Sequence, residues 1–169
     1  MPGDARKSRK PLFFSLLFLT GAILLFATGI FIFNNAEKNA APYTPDQITA
    51  KVISDTKSTD LAKVDPALIS KHYEIPGGAV TSSSLYMSKS SDSAAELNCF
   101  LLADASKYEA LQSSVASHIS TKAAGLKSLN PTQYSLLKNY LIVRHGRYVL
   151  VAVGLNADAE RKAFQSIFE

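Results

Sequence analysis

Histidine is the side chain best suited to acid–base chemistry near neutral pH, and this sequence contains three: His72, His118 and His145. They fall in different predicted elements, and none has a second His or a Cys at a spacing typical of two metal ligands on one helix. The sequence also lacks a G-x-S-x-G turn, a P-loop, an H-E-x-x-H helix and a dinucleotide-binding glycine pattern. We therefore predict no catalytic residues, no metal ligands and no cofactor.

The nucleophilic side chains carry little information about chemistry. The single cysteine, Cys99, lies in an apolar run, which is typical of a buried thiol, and no basic neighbour is evident to activate it. One cysteine also excludes an internal disulfide. Seven of the twelve residues from Ser82 to Ser93 are serine. A glycan-contacting surface is one interpretation of this run, but we favour a strand and loop kept soluble by hydroxyl groups.

Three basic side chains, Arg144, His145 and Arg147, surround the turn of a predicted hairpin. One interpretation is a contact with an anionic polymer or with anionic lipid headgroups. The other is a solvated turn whose charges prevent strands from pairing edge to edge, and we favour this second interpretation.

Cap and turn residues divide the C-terminal part of the chain into the elements that position these side chains. Helix starts are predicted at Thr44-Pro45, Asp65-Pro66, Asp104 and Asn130-Pro131, and a terminal helix at Ala157–Phe168. Alternation and apolar runs predict four strands, which are centred on Leu85 and Met87 or cover Glu96–Ala103, Tyr140–His145 and Tyr148–Gly154.

The order of these elements indicates two antiparallel hairpins, each with helices nearby. The second hairpin turns at Gly146-Arg147, where glycine suits a type II′ turn. The apolar run Tyr148–Val153 is typical of a central strand with both faces covered. We predict an α+β fold in which a small antiparallel sheet, arranged ββαββα, carries helices packed on one face.

The most apolar part of the chain precedes these elements. Residues Leu12 to Phe33 contain no charge, and as a helix they extend about 33 Å, enough for a hydrocarbon core of about 30 Å. The basic residues Arg6, Lys7, Arg9 and Lys10 precede this stretch. We therefore predict a single transmembrane helix with a cytoplasmic N-terminus and an extracytoplasmic C-terminal domain.

Two alternatives concern this apolar stretch. It could be a cleaved signal peptide, but we favour an uncleaved anchor because the run exceeds the usual ~7–15 residues of a signal core. It could also pair with another span in an accessory subunit. Gly21 and Gly29 lie eight residues apart, which falls short of a GxxxG motif.

The predicted organisation has four parts: a basic tip at 1–11, a transmembrane signal anchor at 12–33, a linker at 34–45 and an extracytoplasmic domain at 46–169. Residues 34–169 carry 14 Lys and Arg against 13 Asp and Glu, so most of the net charge of +4 lies in the tip. The basic balance thus reflects membrane topology, and we predict no nucleic-acid partner.

Three short motifs, in order, resemble the bacterial domain of unknown function 4358 family over about residues 47–168. They are His72–Ile75 before a strand with Tyr86–Ser88, Ala95–Leu97 with Phe100, and Gly146–Val149 with Leu150–Val153 before a terminal helix. The resemblance implies a small extracytoplasmic domain of Gram-positive-type bacteria, often tethered as a lipoprotein. Here an anchor helix replaces the lipid-bearing cysteine. The family has no established activity, so the resemblance supplies no catalytic residues.

We expect a non-enzymatic role in binding or scaffolding in the cell envelope, with an envelope protein or an anionic wall polymer as partner. The sequence does not indicate the oligomeric state. The alternative is a cell-wall-directed hydrolase with a dispersed site. A pocket that holds two or more of Asp92, Glu96, His118 and His145 within hydrogen-bond reach would favour the enzyme, whereas a flat surface would favour binding.

Overall fold

The computed structural model describes residues 42–169. The predicted tip, the predicted span from Leu12 to Phe33 and most of the predicted linker lie outside these described residues. Within the described part, no helix is both long enough and apolar enough to cross a membrane. Residues Tyr43–Glu169 form one compact unit.

A five-stranded antiparallel sheet forms the centre of this unit, with the strand order β1-β2-β3-β5-β4. The strands are β1 (Leu61–Lys63), β2 (Val80–Ser88), β3 (Glu96–Leu102), β4 (Leu141–His145) and β5 (Tyr148–Val153). Both predicted hairpins are confirmed, and β3 and β5 join them. β1 was not predicted, because three residues are too few to show alternation.

Five helices surround the sheet in the described part of the chain, and the predicted caps begin most of them. They are α1 (Pro45–Thr56), α2 (Ile69–His72), α3 (Tyr108–Leu126), α4 (Pro131–Lys138) and α5 (Ala157–Ser166). Thr44 and Gln47 form a reciprocal capping box at α1. The Asn130 side chain caps α4. Asp65 and Asp104 cap short 3-10 turns, Pro66–Leu68 and Ala105–Lys107, which lead into α2 and α3.

Helices cover both faces of the sheet, so the prediction of helices on one face is wrong. On one face, Thr49 of α1 hydrogen-bonds to Ser84, which pairs across the strands with Cys99. On the other face, α3 side chains hydrogen-bond to Glu96. Glu96 and Cys99 are three residues apart in one strand and therefore point to opposite faces.

The two faces bury separate groups of apolar side chains. α1 and α5 contact each other, and their buried residues Ile48, Val52 and Phe164 lie on the face of Cys99. The other face packs against α3 and α4 through a cluster that includes Tyr73, Leu85, Phe100, Leu102, Leu111, Val115, Ile119, Leu137, Val149 and Val151. All seven residues of β3 and all six of β5 are buried, as expected for strands covered on both sides.

The hairpin turn between β4 and β5 follows the prediction. Gly146 has a φ of +56°, whereas Arg147 is not in the positive-φ region. A type II′ turn needs a positive φ at the first central position only, and glycine adopts it without steric cost.

An aromatic contact holds the residue at which the chain enters the domain. The Tyr148 hydroxyl donates a hydrogen bond to the backbone oxygen of Tyr43 at 2.6 Å and accepts one from its backbone nitrogen at 3.0 Å. Phe168 packs edge-on against Tyr43 and also contacts Tyr148. The start of α1, the first residue of β5 and the C-terminal end of the domain are therefore in contact with one another.

Candidate functional site

Two polar residues interrupt the apolar face of β3. Glu96 and Asn98 are two positions apart, so they point to the same side of the sheet as Phe100 and Leu102. Both polar side chains are fully buried. A buried charge is costly unless it is paired and hydrogen-bonded, so this carboxylate must have specific partners.

Four side chains donate hydrogen bonds to the Glu96 carboxylate. His118 Nε2 lies 3.0 Å from both carboxylate oxygens, and Lys122 Nζ contacts Oε1. Tyr73 Oη and Asn98 Nδ2 each donate to Oε2 at 3.1 Å. The two oxygens thus receive bonds from one helix (α3), from a loop residue and from the same strand.

These contacts hold Glu96 in its ionised form. Burial opposes ionisation, but the hydrogen bond from His118 and the charge of Lys122 outweigh it and lower the pKa of Glu96 to about 2. Burial and the adjacent carboxylate raise the pKa of Tyr73 well above its ordinary value. Tyr73 therefore stays protonated and donates a hydrogen bond to Glu96.

The sequence of α3 explains why His118 and Lys122 reach the carboxylate together. They are four residues apart and therefore lie on the same face of the helix, one turn from each other. The buried residues Leu111, Val115 and Ile119 fix the rotation of α3 about its axis by packing on the sheet. The Tyr73 ring lies 4.2 Å from the His118 ring, between centroids, and further restricts the imidazole.

A cavity of about 430 Å³ opens beside this network, between the α2 region and α3. His118 lines it, and the His118 side chain is 10% exposed. Because Nε2 of His118 faces Glu96, the other ring nitrogen, Nδ1, has no partner among the described residues. Most of the lining residues are of polar types, and they are Ser70, Lys71, His72, Glu74, Met87, Glu96, Ser114, Ser117, His118, Thr121 and Lys122.

The cavity suits the binding of a polar organic group better than a metal ion. Within residues 42–169, no group of three His, Cys, Asp or Glu side chains is placed to hold a metal. The buried carboxylate beside this cavity, Glu96, is already satisfied by four donors. The volume of this cavity lies in the usual range for a small-molecule site, and several polar groups converge on it.

The predicted candidates are only partly brought together. His72 and His118 meet at the cavity, with ring centroids 6.4 Å apart, and Glu96 joins His118. His145 instead stacks on Phe168 at the hairpin turn, and Asp92 is exposed in the loop between β2 and β3. Cys99 is buried, as predicted, and burial raises the pKa of its thiol.

The two arginines beside the hairpin turn make contacts within the domain. Arg144 Nε donates to the Gly146 oxygen at 2.8 Å, and its guanidinium lies over the Tyr108 ring. Arg147 Nη1 donates to the Ala103 oxygen at 3.3 Å. A contact between this turn and an anionic surface stays a prediction.

A smaller cavity of about 260 Å³ lies at another place on the domain, and Glu160 of α5 lines it. Ser58 donates a hydrogen bond to Glu160 Oε1 at 2.8 Å. Burial and the nearby Asp60 raise the pKa of Glu160, although the bond from Ser58 opposes this shift. Fewer donors converge here, so we consider the cavity beside His118 the candidate site.

The Glu96 network was not predicted, although the sequence contains two signals for it. Glu96 and Asn98 alternate with apolar residues in a strand whose seven positions are otherwise hydrophobic, and His118 and Lys122 have the spacing of one helical turn. Neither signal identifies the other as its partner. Only the packing of α3 across β3 does so.

The comparison with family models identifies the class of this chain. Residues 54–154 match the family described as "Domain of unknown function (DUF4358)", and the chain belongs to this family. The matched range includes β1 to β5 and every residue that donates to Glu96. None of the curated proteins and none of the solved structures that were compared matches the chain.

Proposed function

We propose that this chain is a single-pass membrane protein whose α+β domain lies outside the cell and binds a component of the cell envelope without altering it chemically. The uncharged stretch from Leu12 to Phe33 and the basic residues before it support the anchor and its orientation. The resemblance described above supports the envelope location. The binding element is the cavity beside His118.

Glu96 and His118 lie within hydrogen-bond reach in one cavity, which meets the condition stated above for an enzyme, but the saturation of Glu96 favours binding over catalysis. A general base must be able to accept a proton near the working pH, and a carboxylate whose pKa is about 2 and that receives four hydrogen bonds does not. No hydroxyl group in the described part of the chain makes a hydrogen bond to His118 that would activate it as a nucleophile. The network instead gives the cavity a rigid polar wall.

A hydrolase that acts on wall material is the second candidate, and the geometry of His118 favours it. Glu96 lies behind Nε2, while Nδ1 has no partner in the described structure. A carboxylate that orients an imidazole in this way can stabilise the imidazolium formed when Nδ1 takes a proton from water. This candidate differs from the first because it requires release of products.

Protease treatment of intact cells tests the location. The full chain with a C-terminal tag is expressed in its bacterial host, and a cytoplasmic protein serves as the control. We expect the tag to be lost from a membrane-bound, full-length product while the control remains intact. A tag that is protected until the cells are lysed would contradict the extracytoplasmic location.

Retention on isolated cell walls tests binding against hydrolysis. The full chain in detergent is mixed with wall material, and both bound protein and soluble wall fragments are measured. We expect retention without fragments, reduced in His118→Gln and unchanged in Lys162→Ala, a control on the exposed side of α5. Fragments released by the unaltered chain but not by His118→Gln would instead establish the hydrolase. If the chain is not retained on the walls and releases no fragments, both candidates are contradicted.

A further inference from the structure

Hydroxyl groups form much of the wall of the cavity beside His118. Ser117 and Thr121 of α3 and Ser70 of α2 line it and are exposed. Ser114, one turn before His118, also lines it but is only 7% exposed, and its hydroxyl has no hydrogen-bond partner among the described residues. A buried hydroxyl without a partner is costly, so this wall favours a ligand that brings polar groups.

The charged residues around the cavity include more hydrogen-bond donors than acceptors. Lys122 and Glu96 neutralise each other through their direct contact. The remaining titratable groups are the basic residues Lys71, His72 and His118 and the acidic residue Glu74. Tyr73 donates a hydrogen bond to Glu96. The cavity is therefore close to neutral when both imidazoles are neutral and positive when either is protonated.

Resting on the function proposed above, we propose that the ligand of this cavity is a hydroxylated anion of about monosaccharide size. Its anionic group lies between His118 and the α2 residues Lys71 and His72, and its hydroxyl groups face the serine and threonine side chains. The volume of about 430 Å³ is at the lower end of the range for small-molecule sites, which suits a single sugar ring. A carboxylate and a phosphate meet the same requirement.

The donors of the cavity favour a charged ligand group over a neutral one. Nε2 of His118 already faces Glu96, so Nδ1 is the ring nitrogen available to the ligand, and Lys71 lines the same cavity. Hydrogen bonds that involve a charged group are stronger than neutral ones, so a neutral sugar should bind more weakly.

Three sugars built on one scaffold test this inference. N-acetylmuramate carries a carboxylate, N-acetylglucosamine 6-phosphate carries a phosphate, and N-acetylglucosamine carries no charge. Each is titrated against the full chain in detergent micelles, and binding is followed by NMR through the N-acetyl methyl signal. Lys71→Ala and Lys162→Ala are compared, since both lysines are exposed and only Lys71 lines the cavity.

We expect at least one charged sugar to bind about tenfold more tightly than N-acetylglucosamine, and Lys71→Ala alone to weaken this binding. The stronger of the two charged sugars identifies the anionic group. Equal binding of all three sugars would overturn the anionic ligand while leaving a binding role intact. Absence of binding by all three would overturn the ligand class, whereas the wall-retention experiment decides the proposed function separately.

Discussion

Glu96 places an ionised carboxylate on a face of the sheet that is otherwise packed with aliphatic and aromatic side chains. Lys122 and His118 supply the compensating charge and hydrogen bonds from α3, and Tyr73 and Asn98 satisfy the remaining acceptor sites. Buried pairs of this kind stabilise a fold weakly compared with apolar residues, but breaking one is costly because the partner charge stays buried. The residue is therefore more sensitive to substitution than its contribution to the core would suggest.

Glu96→Gln should lower the free energy of unfolding by about 3 kcal/mol, because Lys122, which is only 24% exposed, loses its counter-charge. Circular dichroism of the full chain during denaturant unfolding measures the change. Glu109→Gln is the control, because Glu109 is exposed on α3, the helix that carries Lys122. This substitution should cost less than about 1 kcal/mol. Similar small losses in both variants would contradict the account of a buried charge network.

Acid should destabilise the domain in the range where Glu96 differs between the folded and unfolded states. Its pKa is about 2 in the fold and ordinarily 4.5, so its stabilising contribution is complete above about 4.5 and is lost as the pH falls toward about 2. Glu160 acts in the opposite direction, because its raised pKa means that protonation favours the folded state. Subtracting the pH profile of Glu96→Gln isolates the first contribution, and parallel profiles below pH 4.5 would contradict it.

At the scale of elements, local signals predicted the beginnings of helices and the pairing of neighbouring strands. The capping box of Thr44 and Gln47 and the turn at Gly146 are each contained in a few consecutive residues, so the sequence alone indicates them. β1 was missed because it has only three residues and owes its place to pairing with β2, which is distant in sequence.

The arrangement of helices and the candidate site depended on information that periodicity does not contain. An amphipathic stripe states that a helix is packed but does not state which face of the sheet it covers. The wholly apolar β5 already indicated that both faces are covered, which argued against helices on one side only. The pairing of Glu96 with His118 likewise required the crossing position of α3.

Two glycines separate the backbone requirement of a turn from that of a helix. Gly125 lies in α3 and Gly146 in the hairpin turn, and a Cβ atom would meet nothing within 4 Å at either position. Gly125→Ala should raise the free energy of unfolding by about 0.5–1 kcal/mol, because alanine loses less backbone entropy in a helix. Gly146→Ala should lower it by about 1–2 kcal/mol, because its φ of +56° disfavours a side chain. Changes of the same sign in thermal unfolding would contradict this contrast.

At the scale of the whole domain, coverage on both faces makes β3 the most protected strand of the sheet. Cys99 lies in the middle of that strand, is fully buried and is the only cysteine of the chain. Exposing its thiol requires removal of α1 and α5 or separation of the central strands. The native cysteine therefore reports on unfolding of the domain as a unit.

Alkylation of Cys99 in the folded full chain should be at least roughly a thousandfold slower than in denaturant, in line with ordinary domain stability. Mass spectrometry after timed exposure to iodoacetamide measures the rate. Ser128→Cys adds a thiol at an exposed position before α4 and should be labelled at once. Rapid labelling of Cys99 under native conditions would mean that the face covered by α1 opens independently.

The hold of Tyr148 on the backbone of Tyr43 has a mechanical consequence. Any tension in the segment before the domain arrives at Tyr43, where two hydrogen bonds to the Tyr148 hydroxyl and the Phe168 ring resist it. Tyr148 belongs to β5, an interior strand paired on both sides. If the chain is anchored as proposed, a pull on the preceding segment is therefore shared by the neighbouring strands before it can unwind the first turn of α1.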